Sequence, residues 1–387
     1  MDIVKEVEAL SNYVVRLRKH FHKHPEVSLE EYKTCERIKE ELSNMEIPFI
    51  SVGETGVIGF VGRGDKVIAL RSDMDALRIH EKTEVGYKSV NEGVMHACGH
   101  DAHMAALLGA ADILKRHEKE LKCTVKLIFQ PAEENCRGAK MICDQGHIDD
   151  VSAIFGLHVF GDIPCGQFSI QAGPRMAASD IFKIRLTGRS GHAGKPQQCI
   201  DATLAGAAVV MNLQSIISRE FDPASAAVVT VGHFMSGSQH NIISGDALIE
   251  GTARTFSHED GRHIEKSVNR IVESTAAVYR AKAAVDYQRS LHPVVINDEE
   301  LTNTALKAAQ RIFPQDAFID VPKLFLGEDF SVYQQRVPGV FAFVGAGNES
   351  LGRAYPNHHD QFNIDEKAVV YSTRLFLAFV MEINGRL

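Results

Sequence analysis

Short apolar runs of strand length alternate with helical patterns through the first half of the chain. Two helical patterns occupy the first 45 residues and are separated at His24-Pro25. After them we predict strands and helices in alternation: strands at Val57–Val61, Val67–Leu70, Val125–Phe129 and Ala153–Leu157, and helices at Ala102–His117 and Ala139–Gln145. This alternation predicts a three-layer α/β domain with a largely parallel sheet.

The pattern changes near Ala177, where strand-like alternation begins. The predicted order is strand, helix, strand, strand, helix, strand: Ile181–Leu186, Ala202–Ile217, Ala227–Val231, Leu248–Ala253, Arg262–Tyr279 and Lys282–Tyr287. Such a βαββαβ order predicts a ferredoxin-like α+β unit. After His292-Pro293 the first pattern resumes, with a helix near Glu299–Ile312, a strand at Val340–Val344 and a helix after Asp365. We therefore expect a catalytic domain formed by 1–176 and 290–387, with an inserted domain at 177–289.

Polar residues follow the predicted strands of the first domain. Asp73-Met74-Asp75, Glu133-Glu134 and His158 each come soon after an apolar strand. The carboxyl ends of strands are where open α/β sheets bind ligands. Cys98 and His100 instead precede a predicted helix, whose N-terminal dipole favours a thiolate.

Two short motifs indicate a metal site. Cys98 and His100 lie two positions apart, and Glu134 adds a hard carboxylate ligand. Soft, borderline and hard ligands together suit divalent transition metals such as Zn²⁺, Mn²⁺ or Co²⁺. The alternative, two unrelated solvated loops, is disfavoured because two later motifs also offer histidines: His158 in Gly156–Val159, and the run Pro356-Asn357-His358-His359-Asp360.

These residues suggest hydrolytic chemistry. Two metals that share about five ligands would activate water and polarise a carbonyl group. Glu133 would take the proton of the water and then protonate the departing amine. Asp75 is the expected partner that orients a ligand, and Asp101 is a second candidate for that role. A turn or helix cap is the alternative for Asp75.

Three polar residues of the inserted domain are candidates for substrate binding. His192 is a donor that could stabilise the oxyanion of a tetrahedral intermediate. Asn241 and Arg254 could bind a substrate carboxylate. Each could equally be an ordinary surface residue.

Composition excludes several classes of function. A chain of 387 residues is expected to form two domains, and its net charge of −8 argues against a nucleic-acid partner. No apolar run approaches the roughly 20 residues that span a bilayer. The polar first residues lack a signal-peptide stretch, and the seven cysteines form no CxxC pair, which is typical of a reducing compartment. We therefore expect a cytoplasmic protein without a membrane partner.

Along its whole length the chain resembles the metal-dependent amidohydrolases of the aminoacylase and carboxypeptidase superfamily. The branch is that of hippurate hydrolase, N-acyl-amino-acid deacylases and auxin-conjugate (IAA-amino acid) hydrolases. The similarity rests on motifs that occur in the same order: Arg18–Glu26, Arg71–Leu77, Met95–Asp101, Gln130–Glu134, Gly188–His192, Asn241-Ile242-Ile243, Gly251–Arg254, Glu328-Asp329-Phe330 and the His358 motif.

This resemblance implies a dinuclear site for Zn, Mn, Co or Ni and a homodimer formed through the inserted lid domain. Glu133 is the implied base, and the implied ligands are Cys98, His100, Glu134, His158 and His358. His358 is preferred to His359 because the family's histidine lies four residues before an aromatic or aliphatic position, here Phe362. The lid histidine, His192, can serve either its own or the partner subunit's site.

The resemblance predicts cleavage of an N-acyl amino acid with an acetyl, benzoyl or indole-acetyl group. The sequence departs from the family pattern at two places, neither of which is a metal ligand: Arg78 stands where proline is usual, and the run after His192 differs. Only the second, beside the lid histidine, bears on substrate fit. A dipeptidase is the alternative among enzymes. A catalytically silent metal-binding protein is the alternative of another class, and the presence of Glu133 disfavours it.

Overall fold

The computed structural model describes residues 1–385, apart from the side chains of Ser290 and Leu291. These residues form two compact units. The first comprises Met1–Gly173, Ile296–Pro322 and the segment from Glu328 onward, and the second comprises Pro174–Val295 and Lys323–Gly327. The predicted inserted domain, 177–289, lies within the second unit, and its role as a lid stays a prediction.

The secondary structure alternates between helices and strands in both units. The helices are α1 Ile3–Lys23, α2 Tyr32–Asn44, α3 His100–Arg116, α4 Gly138–Asp144, α5 Ala202–Leu213, α6 His258–Val278, α7 Glu299–Gln310, α8 Phe330–Gln334 and α9 Lys367–Gly385. The strands are β1 Phe49–Val52, β2 Gly56–Val61, β3 Lys66–Asp73, β4 Cys123–Gln130, β5 Val151–Pro164, β6 Phe168–Ser169, β7 Gly173–Met176, β8 Ala178–Thr187, β9 Gly191–His192, β10 Ala227–Ser236, β11 Ile242–Ile243, β12 Asp246–Thr255, β13 Lys282–His292, β14 Val295–Asn297 and β15 Gly339–Gly347. Within residues 1–385, every helix is too short or too polar to cross a membrane.

The first unit is a three-layer α/β domain, as predicted. Its sheet has the strand order β1-β2-β4-β3-β5-β15-β6. The middle strands β4, β3, β5 and β15 pair in parallel, whereas β1, β2 and β6 pair antiparallel at the edges. The prediction of a largely parallel sheet is therefore correct only for the centre. The central strands are buried on both faces, which explains their continuous apolar sequence.

Helix α3 begins two residues earlier than predicted, at His100 instead of Ala102. Gly99 precedes it with φ of 102°, and a Cβ at Gly99 would lie 2.3 Å from Cγ2 of Val159. Glycine thus allows the chain to turn sharply into the helix against β5. Because α3 is buried on nearly every side, its apolar periodicity gave no sign of where it starts. Cys98 lies in the loop as expected, but His100 belongs to the helix.

The second unit has the predicted ferredoxin-like fold. Its antiparallel sheet has the order β10-β12-β8-β13, and α5 and α6 pack on it. Phe182, Ile249 and Val268 are fully buried in the core between sheet and helices. The helix predicted at Ala202–Ile217 ends at Leu213 and is followed by a π-helical turn at Ile216–Glu220.

Gly251→Ala is expected to destabilise this unit. An added Cβ would lie 2.2 Å from Cζ of Phe182 and 2.4 Å from the carbonyl oxygen of Thr230, and a paired backbone cannot easily yield. Overpacking typically costs about 1–3 kcal/mol, and each kcal/mol lowers Tm by roughly 2–4 °C. Gly232→Ala on the neighbouring strand is the control, since its Cβ would meet nothing within 4 Å. Equal melting temperatures of the two variants in a thermal scan would contradict the expectation.

Candidate metal centre

The five predicted ligands converge in the first unit although they come from separate segments. Cys98 lies in the centre, with its Sγ 3.3 Å from Nε2 of His158 and 3.3 Å from Nε2 of His358. Oε1 of Glu134 lies 3.6 Å from Nε2 of His358 and 3.9 Å from Nε2 of His100. The donors form two overlapping groups of three that share Cys98, one with His100 and His158 and one with Glu134 and His358.

The lone pairs of these donors face the cluster. Nδ1 of His100 donates to the carbonyl oxygen of Asp75 at 2.8 Å, and Nδ1 of His158 donates to that of Val159 at 2.9 Å. In each ring Nε2 therefore carries the lone pair. Nε2 of His100 and Oε1 of Glu134 are buried without a hydrogen-bond partner among the described residues. Because buried polar atoms are rarely left unpaired, this donor set fits bound metal.

Asp75 contacts two of the predicted ligands. Besides the bond from its carbonyl oxygen, its Oδ1 lies 3.3 Å from Nδ1 of His100. Its Oδ2 accepts the backbone N–H of Glu134 at 3.0 Å and the hydroxyl of Ser28 at 2.6 Å. Asp75 thus holds the ring of one donor and the backbone of another.

The expectation for Asp101 is wrong. Its Oδ2 accepts hydrogen bonds from Nε of Arg18 and from Nδ1 of His22, both at 2.8 Å. The reason is helical geometry, because successive side chains on a helix point about 100° apart. When His100 faces the metal centre, Asp101 faces α1.

Asp73 and His103 belong to the site but were not singled out from the sequence as site residues. Nδ1 of His103 donates to Oδ1 of Asp73 at 2.6 Å, while Nε2 accepts the N–H of Val159 at 2.9 Å. Both nitrogens of His103 are therefore occupied. Its ring packs edge-on against His158, with centroids 4.8 Å apart. The spacing of three residues from His100 on α3 was the available signal.

Glu133 lies in a buried acidic group beside the ligands. Its carboxylate and those of Glu328 and Asp329 lie within 4.8 Å of one another, and its Oε1 accepts the N–H of Asp329 at 3.4 Å. Burial and the neighbouring carboxylates, Glu328 first, raise the pKa of Glu133 well above its usual value. Burial likewise raises the pKa of Glu328 to about 7 and that of Asp329 to about 6.

Buried Arg71 is the cation of this group. It donates to Asp73 at 2.7 Å, to Glu328 at 3.0 Å and to Asp329 at 2.9 Å. Its Nε also donates to Oε1 of Gln130 at 2.9 Å. The guanidinium therefore joins the end of β3 to the start of α8.

Cys98 is the central thiol of these donors, and it is buried. Burial, followed by the nearby Glu134 carboxylate, raises the pKa of Cys98 well above its usual value. The thiolate form requires cationic neighbours.

Of the two adjacent histidines, His358 is the one that approaches Cys98. The ring of His359 instead stacks on Tyr355, with centroids 4.5 Å apart and an interplanar angle of 17°. Asn357 holds this segment in place. Its Nδ2 donates to the carbonyl oxygens of Cys98 at 2.7 Å and Val159 at 3.0 Å.

The three candidates of the second unit lie on or beside its strands. Exposed His192 ends β9, which pairs with β11, and Asn241 directly precedes β11. The carbonyl oxygen of Asn241 accepts the N–H of Ala193 at 3.1 Å, so His192 and Asn241 are neighbours. Arg254 on β12 donates to the hydroxyl of Thr252 at 2.9 Å.

Comparison with known proteins decides the family. Residues 69–382 match the model of peptidase family M20/M25/M40. The chain belongs to this family. It is 40% identical over 369 residues to "IAA-amino acid hydrolase ILR1-like 4" of Arabidopsis thaliana, covering 94% of this chain and 84% of that one. It is 38% identical over 374 residues to the N-acetylcysteine deacetylase of Bacillus subtilis, covering 95% and 96%.

Two solved structures share the fold over nearly the whole chain. A putative aminohydrolase from methicillin-resistant Staphylococcus aureus superposes with a TM-score of 0.94 at 31% identity, covering 99% of this chain and 98% of that one. The YXEP protein of Bacillus subtilis, described as a dinuclear metal-binding peptidase of the M20 family, gives 0.87 at 34% identity, covering 98% and 100%. The predicted resemblance is confirmed, and this M20 protein is a metal-dependent amidohydrolase.

Asn357→Ala is expected to weaken metal binding without unfolding the protein. The change removes the donor to Cys98 and Val159 and the Oδ1 that accepts the N–H of Gly161 at 3.2 Å. Residues that orient metal ligands typically contribute about 10–100-fold in metal affinity. Competition with a chelator measures this affinity, and His359→Ala is the control because that ring stacks on Tyr355 and belongs to none of the donor groups found among the described residues. Unchanged affinity in Asn357→Ala would show that the ligands hold their places without it.

Proposed function

We propose that this amidohydrolase cleaves the amide bond of N-acyl amino acids, with an acetyl, benzoyl or indole-acetyl acyl group. The observation that carries the proposal is the donor set around Cys98, in which Nε2 of His100 and Oε1 of Glu134 are buried without a hydrogen-bond partner among the described residues and the carboxylate of Glu133 lies beside them. The names of the relatives support the choice of substrate, since they describe hydrolases of amino-acid conjugates and a deacetylase of an acetylated amino acid.

We assign two divalent ions per subunit, of Zn, Mn, Co or Ni, to five ligands. These are Cys98, His100, Glu134, His158 and His358. The overlap of the two donor groups at Cys98 supports a pair of neighbouring ions. When bound, such ions polarise the scissile carbonyl group and acidify water.

Glu133 is assigned the role of general base and then general acid. Its carboxylate lies within 4.8 Å of the donor atoms of His100 and Glu134, yet it belongs to the acidic group with Glu328 and Asp329. There it can take a proton from the attacking water and deliver it to the leaving amine. Asp75 assists by keeping the Nδ1 proton of His100 in place, so that Nε2 remains a ligand.

The second unit is assigned substrate recognition. His192 is proposed to stabilise the oxyanion, acting in its own subunit or in a partner's. Arg254 and Asn241 are proposed to bind the substrate carboxylate, since a guanidinium matches its planar geometry.

The proposed assembly is a homodimer formed through the second unit. Leu204 and Met211 on α5 expose 54% and 70% of their surface, and Phe234 and Met235 on the edge strand β10 expose 40% and 58%. Exposed apolar side chains beside an unpaired strand edge are typical of an interface.

We also propose a cytoplasmic location, since all seven cysteines are free thiols.

A substrate panel tests the proposed activity. Acetyl-, benzoyl- and indole-acetyl-amino acids and an unblocked dipeptide are supplied separately to enzyme loaded with Mn²⁺, Co²⁺, Zn²⁺ or Ni²⁺. The proposal expects kcat/KM for at least one acyl amino acid to exceed that for the dipeptide. Faster cleavage of the dipeptide with every metal would favour the dipeptidase.

Substitution of the two adjacent glutamates separates chemistry from metal binding. Glu133→Gln keeps its size but cannot accept a proton, so it should retain metal and lose on the order of 10²–10⁴ in kcat. Glu134→Gln removes a ligand, so it should lose metal first and activity as a consequence. Metal content and kcat are measured for both variants in one buffer. A metal-depleted Glu133→Gln beside a fully loaded Glu134→Gln would reverse the assignment.

A further inference from the structure

One carboxylate outside the metal centre is buried without a cation among its hydrogen-bond partners. Glu31 is 0% exposed and occupies the N-cap position of α2, yet its side chain makes no capping hydrogen bond. Its hydrogen-bond partners within residues 1–385 are a hydroxyl and a backbone N–H, neither of which is a cation. Burying a carboxylate without a cation is costly, so its hydrogen bonds indicate what it does.

Both carboxylate oxygens of Glu31 accept hydrogen bonds, and one of these bonds comes from the residue that precedes Glu133. Oε1 accepts the backbone N–H of Ala132 at 2.8 Å, and Oε2 accepts the hydroxyl of buried Thr55 at 2.8 Å. Thr55 is buried in the turn that joins β1 to β2, so it holds the carboxylate from a segment of the chain other than that of Ala132. The contact with Ala132 spans 101 positions of sequence.

Ala132 has an unfavourable backbone conformation. Its φ is +56°, in the left-handed region that residues with a Cβ adopt rarely. It immediately precedes Glu133. Two residues further along the chain, the N–H of Glu134 is held by Oδ2 of Asp75 at 3.0 Å. Buried carboxylates therefore hold the backbone on both sides of Glu133.

We propose that Glu31 is a positioning residue that keeps Ala132 left-handed and thereby aims Glu133 at the reacting water. The proposal rests on the assignment of Glu133 as the base. Without the acceptor, the buried N–H of Ala132 loses its partner and the residue can relax toward negative φ. Such a rotation would displace the carboxylate of Glu133, while Asp75 would still hold Glu134. The effect should therefore fall on kcat and leave metal binding intact.

Glu31→Met tests this with little change in volume, because methionine cannot accept the hydrogen bond. We expect kcat to fall on the order of 10-fold, with KM and metal content as in the wild type. Glu31→Gln is the matched control, since its amide oxygen can still accept from Ala132, and it should recover most of kcat. A purely structural Glu31 would lower Tm and leave kcat unchanged well below the melting temperature, which would overturn the proposal.

A second substitution tests the role of the left-handed residue itself. Glycine adopts φ of +56° without strain, so Ala132→Gly in the Glu31→Met background should restore part of kcat. A double variant no faster than Glu31→Met, or loss of metal in Glu31→Met, contradicts the proposal.

If Glu31→Met does not fold, Thr55→Val removes the hydroxyl that orients Glu31 and should give a smaller loss of kcat at constant KM. Wild-type kcat in Thr55→Val would then count against the proposal.

Glu133→Gln, measured in parallel, distinguishes this proposal from the one on which it rests. If Glu133→Gln remains active, the assignment of the base fails. If Glu133→Gln is inactive while Glu31→Met has wild-type kcat, the base stands and the positioning role of Glu31 fails.

Discussion

Compensation of buried negative charge is the constraint on which the metal centre depends. Five carboxylates are buried around it: Asp73, Asp75, Glu133, Glu328 and Asp329. Arg71 donates hydrogen bonds to three of them and is itself fully buried, so a single guanidinium cannot balance the group. Such a group is stable only with further positive charge or bound protons. The metal ions that we propose for the donors around Cys98 would supply positive charge there. Without such charge, burial and the neighbouring Glu328 carboxylate raise the pKa of Glu133.

The sheet brings the buried acidic side chains together at the carboxyl ends of its central strands. Strands β4, β3 and β5 are neighbours and run parallel, so their carboxyl ends lie side by side. Gln130 at the end of β4 is in register with Asp73 at the end of β3, and His158 lies on β5. Arg71 sits on the middle strand of the three, where it can reach partners on either side. The parallel arrangement at the centre is therefore what allows one arginine to organise several acids.

The sequence predicted those parts of the site that lie at the ends of regular elements. Glu133 and Glu134 follow the apolar strand β4, and such clustering of polar residues after strands is a local pattern. His158 was expected after a strand as well, but it lies within β5, which continues to Pro164. Glu328 and Asp329 were visible only as part of a family motif, because their partner Arg71 lies more than 250 positions earlier and no periodicity links the segments. The sequence did not indicate a role for Glu31 for the same reason, since its contact with Ala132 joins the start of α2 to a segment 101 positions away.

The expectation for Asp101 failed for a different reason, namely the direction in which its side chain points. Asp101 was expected to share the role of orienting a metal ligand, but it follows His100 on α3, and adjacent residues of a helix face different neighbours. The first turn of α3 uses this divergence. His100 faces the donors, Asp101 binds Arg18 of α1, and His103 links Asp73 of β3 to Val159 of β5. One helical turn thus joins the metal centre, the outer helices and the sheet, so the position of His100 is set by contacts on three sides. A ligand held in this way has little freedom to move when metal is absent, which is the condition for a site that is organised before metal binds.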